Sequence, residues 1–116
     1  MSKVLYPKAK AFSVRAVSTC HQLMQNHEYI LSKQFLRSAT SIGANIAESD
    51  YAQSPADFVS KLSIALKEAA ETRYWLELLR DTGYLDDRDF AKLYSDCTEL
   101  IKLLTASVNT AKSRTV

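Results

Sequence analysis

The sequence predicts an all-α fold, an antiparallel up-down-up-down four-helix bundle with left-handed crossings, on three observations. Glycine and proline number two each in a 116-residue chain that is 47% apolar, too little punctuation for a turn-rich β protein. Apolar residues recur in alternating steps of three and four through four segments. Short capping signals separate those segments, and short connections favour antiparallel neighbours. The sustained heptad rhythm calls for crossings near about +20°, hence the left-handed twist. A chain of this length supports one core, so residues 1–116 are expected to form a single domain.

The first helix is predicted over about residues 7–26, with Leu5, Ala9, Phe12, Ala16, Thr19 and Leu23 on one stripe. Pro7 belongs in its first turn, where a missing N–H costs nothing. The second is predicted over about 33–48, with Ser32 as N-cap and Leu31 and Leu36 as a hydrophobic staple. Its core stripe is Phe35, Ala39, Ile42 and Ile46, and beside it runs a second line of Ser38, Ser41, Asn45 and Glu48 at the same spacing. A surface line would hold long charged residues and a core line Leu or Ile. Short polar side chains instead permit close backbone approach and need hydrogen-bond partners. These four residues are therefore assigned to helix–helix or subunit packing rather than chemistry.

The third helix, about 55–82, has the clearest start: Ser54 as cap, Pro55 at the first position and Asp57 at the third. Phe58, Leu62, Ala65, Ala69, Thr72, Leu76 and Leu79 form its stripe over a length of about 40 Å, at roughly 1.5 Å per residue. Gly83 then suits a left-handed C′ position, with Tyr84 folding back on Leu79. Asp86 and Asp89 repeat the cap-and-third-position pattern, and Leu85 with Phe90 supplies a staple. The fourth helix, about 87–110, continues with Leu93, Cys97, Leu100, Leu104 and Val108, and the tail beyond about Lys112 is expected to fray.

Helix three has apolar surface to spare. Ile64, Glu68, Glu71, Trp75 and Leu78 form a second line bordered by Tyr74. In a lone bundle such a patch marks an interface; a wider core stripe is the alternative. The line therefore predicts self-association, with Ile64, Glu68, Glu71, Tyr74, Trp75 and Leu78 at the contact. Desolvated glutamates need a cation; Arg37 and Arg73 are the reachable types of partner, and a glutamate buried between subunits is expected to meet an arginine of the neighbouring helix or protomer through two N–H groups.

Net charge is +2 but uneven: residues 1–31 carry Lys3, Lys8, Lys10 and Arg15 against Glu28, whereas Asp50 to Asp81 carries six acids against four bases. Lys8 and Arg15, seven apart, share a face, with Lys3 and Lys10 as a line beside it. These four are the candidate phosphate contacts, weak in one copy and additive in a ring; a solvated basic face is the alternative. Cys20 and Cys97 fall near apolar positions and are expected to be reduced core thiols. No segment is apolar enough to span a bilayer and no secretory leader is apparent, so no membrane role is expected and the default location is cytoplasmic.

Enzymatic signals are missing. A di-iron bundle needs inward Glu-x-x-His pairs, and Glu68 and Glu71 have no histidine on their helix. His21 and His27, six apart, do not share a face, so no metal or other cofactor is expected. There is no Gly-x-Ser-x-Gly elbow and no phosphate-cradling glycine loop.

The run Leu36-Arg37-Ser38-Ala39-Thr40-Ser41-Ile42-Gly43-Ala44-Asn45-Ile46-Ala47-Glu48, then Asp57-Phe58, Ile64-Ala65, Glu71 through Leu79 and Gly83-Tyr84-Leu85, resembles the 23S rRNA intervening-sequence protein family, also called the four-helix bundle protein family. Ser49 stands where the family typically has glycine, which affects where helix two ends. The resemblance implies a left-handed antiparallel bundle that assembles into a ring, commonly a homopentamer, with no catalytic residues. A related branch, the accessory variability determinants of diversity-generating retroelements, implies nucleic acid and a reverse transcriptase as partners. The resulting expectation is a non-enzymatic homo-oligomer that binds RNA or DNA by charge and with little sequence preference, since no recognition helix, RNP motif or stacking platform is present. The competing expectation is a structural or adaptor protein that meets a protein partner through Tyr6, Tyr29 and Tyr51.

Overall fold

The computed structural model describes residues 4–114, which form four helices and no strand: α1 (Leu5–Gln25), α2 (Leu31–Ser49), α3 (Pro55–Asp81) and α4 (Asp87–Arg114). The molecule is a rod of 48 × 21 × 20 Å. Helices α1 and α3 each pack on both α2 and α4, and among the described residues no Cα of α1 lies within 8 Å of one in α3, nor of α2 within 8 Å of one in α4. Gly43 abuts Ala9 and Ser13 while Cys20 bonds Ser32. Ser38 meets Thr72 while Glu48 meets Lys61, and Ala69 meets Cys97 while Glu77 meets Tyr94. In each pair the contacts climb one helix as they descend the other.

The predicted stripes form one buried cluster that includes Phe12, Phe35, Ile42, Ile46, Leu62, Leu76, Leu79, Leu100 and Leu104. Alanines at Ala9, Ala16, Ala39, Ala65 and Ala69 are fully buried between them, which lets the helices approach closely while Phe12 and Phe35 fill the wider layers. On α1 the stripe turns at Cys20, which is buried, and Thr19 is left half-buried.

The ends differ from expectation in informative ways. Helix α1 begins at Leu5, so Pro7 is its third residue, still among the N–H positions that have no intrahelical partner. Helix α2 begins at Leu31, not after Ser32: the Glu28 carboxylate accepts the Ser32 N–H at 2.7 Å, while the Ser32 hydroxyl donates to the Glu28 carbonyl at 2.8 Å. Glu28 thus does the work expected of Ser32, from a buried position. Helix α2 continues through Ser49, whose buried hydroxyl donates back to the Ile46 carbonyl, so the residue in the family's glycine position remains helical.

Helix α3 starts as its sequence specifies, with the Asp57 N–H donating to Ser54 Oγ at 3.0 Å and the Asp57 carboxylate accepting from Gln53 N–H at 3.0 Å. It closes with Gly83 at φ 83°, Gly83 N–H donating to Arg80 O and Tyr84 N–H to Leu79 O. The Tyr84 ring is exposed, and Leu85 is the residue that returns to the core. Asp86 caps α4 through Asp89 N–H at 2.8 Å, and α4 runs on to Arg114, four residues beyond the expected end.

Candidate functional site

Two surfaces carry the candidate residues. The first is the α2–α3 seam. Ser38 is buried and its hydroxyl lies 2.9 Å from that of Thr72, which also donates to the Glu68 carbonyl at 2.7 Å. Ser41 and Asn45 are half-buried, Asn45 donating to the Ser41 carbonyl at 2.9 Å. Glu48 is exposed and pairs with Lys61 at 3.1 Å. The small-residue line of α2 therefore faces α3, bonded across the seam at both ends.

Outside that line, Arg37 reaches over from α2. Its Nη1 donates to Glu68 Oε2 at 2.9 Å and its Nη2 to Glu68 Oε1 at 3.4 Å, with a further bond from Nη2 to Glu71 Oε2. The same Glu71 oxygen accepts the Trp75 indole N–H at 3.0 Å. The indole and, behind it, Arg37 hold the Glu71 carboxyl below the usual carboxylate range, against the opposing effect of desolvation. The two carboxylates hold the guanidinium proton more firmly than usual, Glu68 first. Arg73, the other candidate partner, points away and lies 5.1 Å from the centre of the Tyr94 ring on α4.

Around this charge cluster, Ile64 is 40% and Tyr74 57% exposed, while Trp75 and Leu78 are half-buried. The Tyr74 and Trp75 rings meet edge to face with centroids 5.1 Å apart. A second exposed apolar line lies on α1 and joins Tyr6, expected above only as a contact for a protein partner, to Val17 and Met24: the three share the flank of Ser13, the residue that meets α2, and Val14 borders them. The signal for it was present, since β-branched Val14 and Val17 are off the core stripe.

The second candidate surface is the basic one on α1. Lys8 pairs with Glu99 at 3.2 Å and Arg15 with Asp96 at 2.9 Å, both across the α1–α4 seam. Asp96 also accepts from Lys92 at 3.4 Å. Lys10 is exposed, but two residues from Lys8 it stands about 200° around the helix and joins neither pair. Lys3 lies outside the described residues. The structure thus groups Lys8 with Arg15, separates Lys10 from them, and supplies acidic partners that spacing along α1 had no means of revealing.

The cysteines are buried and free. Cys97 donates to the Ala69 carbonyl at 3.3 Å, and burial pushes its thiol up to about 12. Among the described residues, no three of His, Cys, Asp and Glu converge as metal ligands, and no helix is long and apolar enough to cross a membrane.

The family model of the 23S rRNA-intervening sequence protein matches residues 2–106. A crystal structure of a protein of unknown function from the S23 ribosomal protein family of Bacteroides thetaiotaomicron is similar to this chain, with 49% sequence identity and a TM-score of 0.89. The match covers 90% of this chain and 98% of that one. No curated protein matches the chain significantly. With the seam motif on α2, the Trp75 turn of α3 and the capped α3–α4 turn all inside the matched stretch, the chain belongs to the 23S rRNA-intervening sequence protein family.

Proposed function

We propose that this protein is a non-enzymatic, cytoplasmic homo-oligomer, built from left-handed up-down-up-down bundles closed into a ring, and that the ring binds nucleic acid by charge. The observation that carries the assembly is the pair of unlike apolar lines flanking α2: Tyr6, Val14, Val17 and Met24 on α1, and Ile64, Tyr74, Trp75 and Leu78 on α3. Association of two different faces is head-to-tail, and a head-to-tail contact closes into a ring when its rotation permits. Family resemblance implies five copies.

Within such a ring Lys8 and Arg15 repeat around an axis and their fields sum at the phosphate backbone; Lys10, on a separate face of α1, and Lys3 are further candidates. Nothing in the side-chain set reads bases, so binding should be weakly sequence-specific. The test is sedimentation of the purified protein, alone and with a mixed-sequence oligonucleotide at about 50 mM and 200 mM salt. A multimer of the 13.0 kDa chain that takes up oligonucleotide only at low salt supports the reading. A monomer that ignores nucleic acid overturns it. The second reading, a ring that serves as an adaptor for a protein partner, is favoured by the acids facing Lys8 and Arg15 and by the outlying Tyr51, 86% exposed; a multimer indifferent to nucleic acid would select it.

A further inference from the structure

The geometry points to an autoinhibitory clasp: Asp96 and Glu99 of α4 occupy the cationic groups of Arg15 and Lys8, and nucleic acid phosphate binds there by displacing them. This rests on the nucleic-acid reading above. Lys8 Nζ approaches both oxygens of Glu99, at 3.3 and 3.2 Å, and Arg15 Nη1 meets Asp96 Oδ2 at 2.9 Å. Both pairs are open to water: the Lys8 and Arg15 side chains are 44% and 47% exposed. A phosphate can therefore approach the same groups from outside, and Arg15 spends only one of its five N–H donors on Asp96.

Exposed pairs of this kind are weak, so a polyanion with several charges can replace them. Asp96 is additionally shared with Lys92, so its displacement releases two cations, Arg15 and Lys92, toward one strand. The seam that the pairs close is also the most lightly packed of the four. Exchange of carboxylate for phosphate there disturbs little of the core.

The test compares the wild type with Asp96→Asn/Glu99→Gln in oligonucleotide titrations across a salt series, using one mixed-sequence single strand. A control, Asp81→Asn/Asp87→Asn, makes the same change in net charge away from Lys8 and Arg15. Circular dichroism and sedimentation on the same samples establish that fold and assembly are kept. The clasp predicts about three- to tenfold tighter binding for Asp96→Asn/Glu99→Gln than for wild type or control at low salt. It also predicts a log K against log salt slope steeper by about 0.7 to 1.4, the signature on a single strand of one to two phosphate contacts' worth of counterion release. Adding Lys8→Gln/Arg15→Gln to that variant should remove the gain, which loosening of the seam alone would not do. If the wild type binds but the variant binds no more tightly than the control, the clasp is wrong and the nucleic-acid reading stands. Absence of binding by every protein overturns both.

Discussion

His27 holds φ at 65° in the same role that Gly83 fills at 83°. Each is the C′ residue of a helix end: His27 N–H donates to Met24 O and Glu28 N–H to Leu23 O, matching Gly83 to Arg80 and Tyr84 to Leu79. The two ends are neighbours, Asn26 lining one cleft with Gly83 and Tyr84. A side chain in this left-handed region costs about 1 kcal/mol that glycine avoids, and the compensating contact, His27 Nδ1 to Tyr29 OH at 3.2 Å, is exposed. His27→Gly is accordingly expected to raise stability by about 0.5–1 kcal/mol, some 2–6 °C in Tm; a lower melting temperature would show that the ring contact outweighs the backbone relief. The glycine end was legible in the sequence because glycine advertises positive φ. The histidine end was not, because its geometry comes from the hydrogen bonds of the turn and from Glu28, whose carboxylate is committed to α2.

Among the elements, the four helices and most of their stripes followed from periodicity with the capping signals, and the seams decided what these left open. Helix α2 shows why: Gly43 looked like one more small residue, yet a Cβ there would stand 3.2 Å from Ser13 Oγ and 3.7 Å from Ala9 O, so it sets the distance between α1 and α2. Gly43→Leu should cost at least about 2 kcal/mol in urea unfolding by overpacking. Gly43→Ala, which gains helix propensity of roughly 1 kcal/mol, should stabilise more in a Ser13→Ala background than in the wild type, and equal effects in the two backgrounds would remove Ser13 as the limiting contact. The α2–α3 seam makes a pH-dependent prediction. Glu71's folded pKa is depressed, first by the Trp75 indole and then by Arg37. Its contribution is therefore present above the unfolded value of about 4.3 and disappears as pH falls through the folded value. Trp75→Phe removes the donor and should cost about 1 kcal/mol at pH 7 after solvent screening of this partly exposed group. That deficit should shrink below pH 4; a deficit constant from pH 7 to pH 3 would mean that lost packing, not the carboxylate, accounts for it. That an arginine pairs with these glutamates was readable from residue type, whereas the choice of Arg37 over Arg73 depended on how α3 turns its faces toward α2 and α4.

For the whole molecule, the two apolar lines beside α2 make assembly a question of symmetry as well as mass. A head-to-tail contact needs the α1 line of one copy and the α3 line of the next. Val17→Glu should break the first surface and Ile64→Glu with Tyr74→Glu the second. All three residues are at least 40% exposed, so each variant should remain folded, with helicity unchanged by circular dichroism, and sediment as a monomer. Mixing the two variants then restores one intact contact, between the good α1 line of the Ile64/Tyr74 variant and the good α3 line of the Val17 variant. That contact cannot extend, because the outer face of each partner is defective, so the mixture should sediment as a dimer. A self-pairing α3 surface behaves otherwise: the Val17 variant would assemble as the wild type does, and mixing would add nothing. Sedimentation velocity on the two variants and their equimolar mixture separates these cases, and a Val17→Glu protein of wild-type mass would rule out the head-to-tail ring.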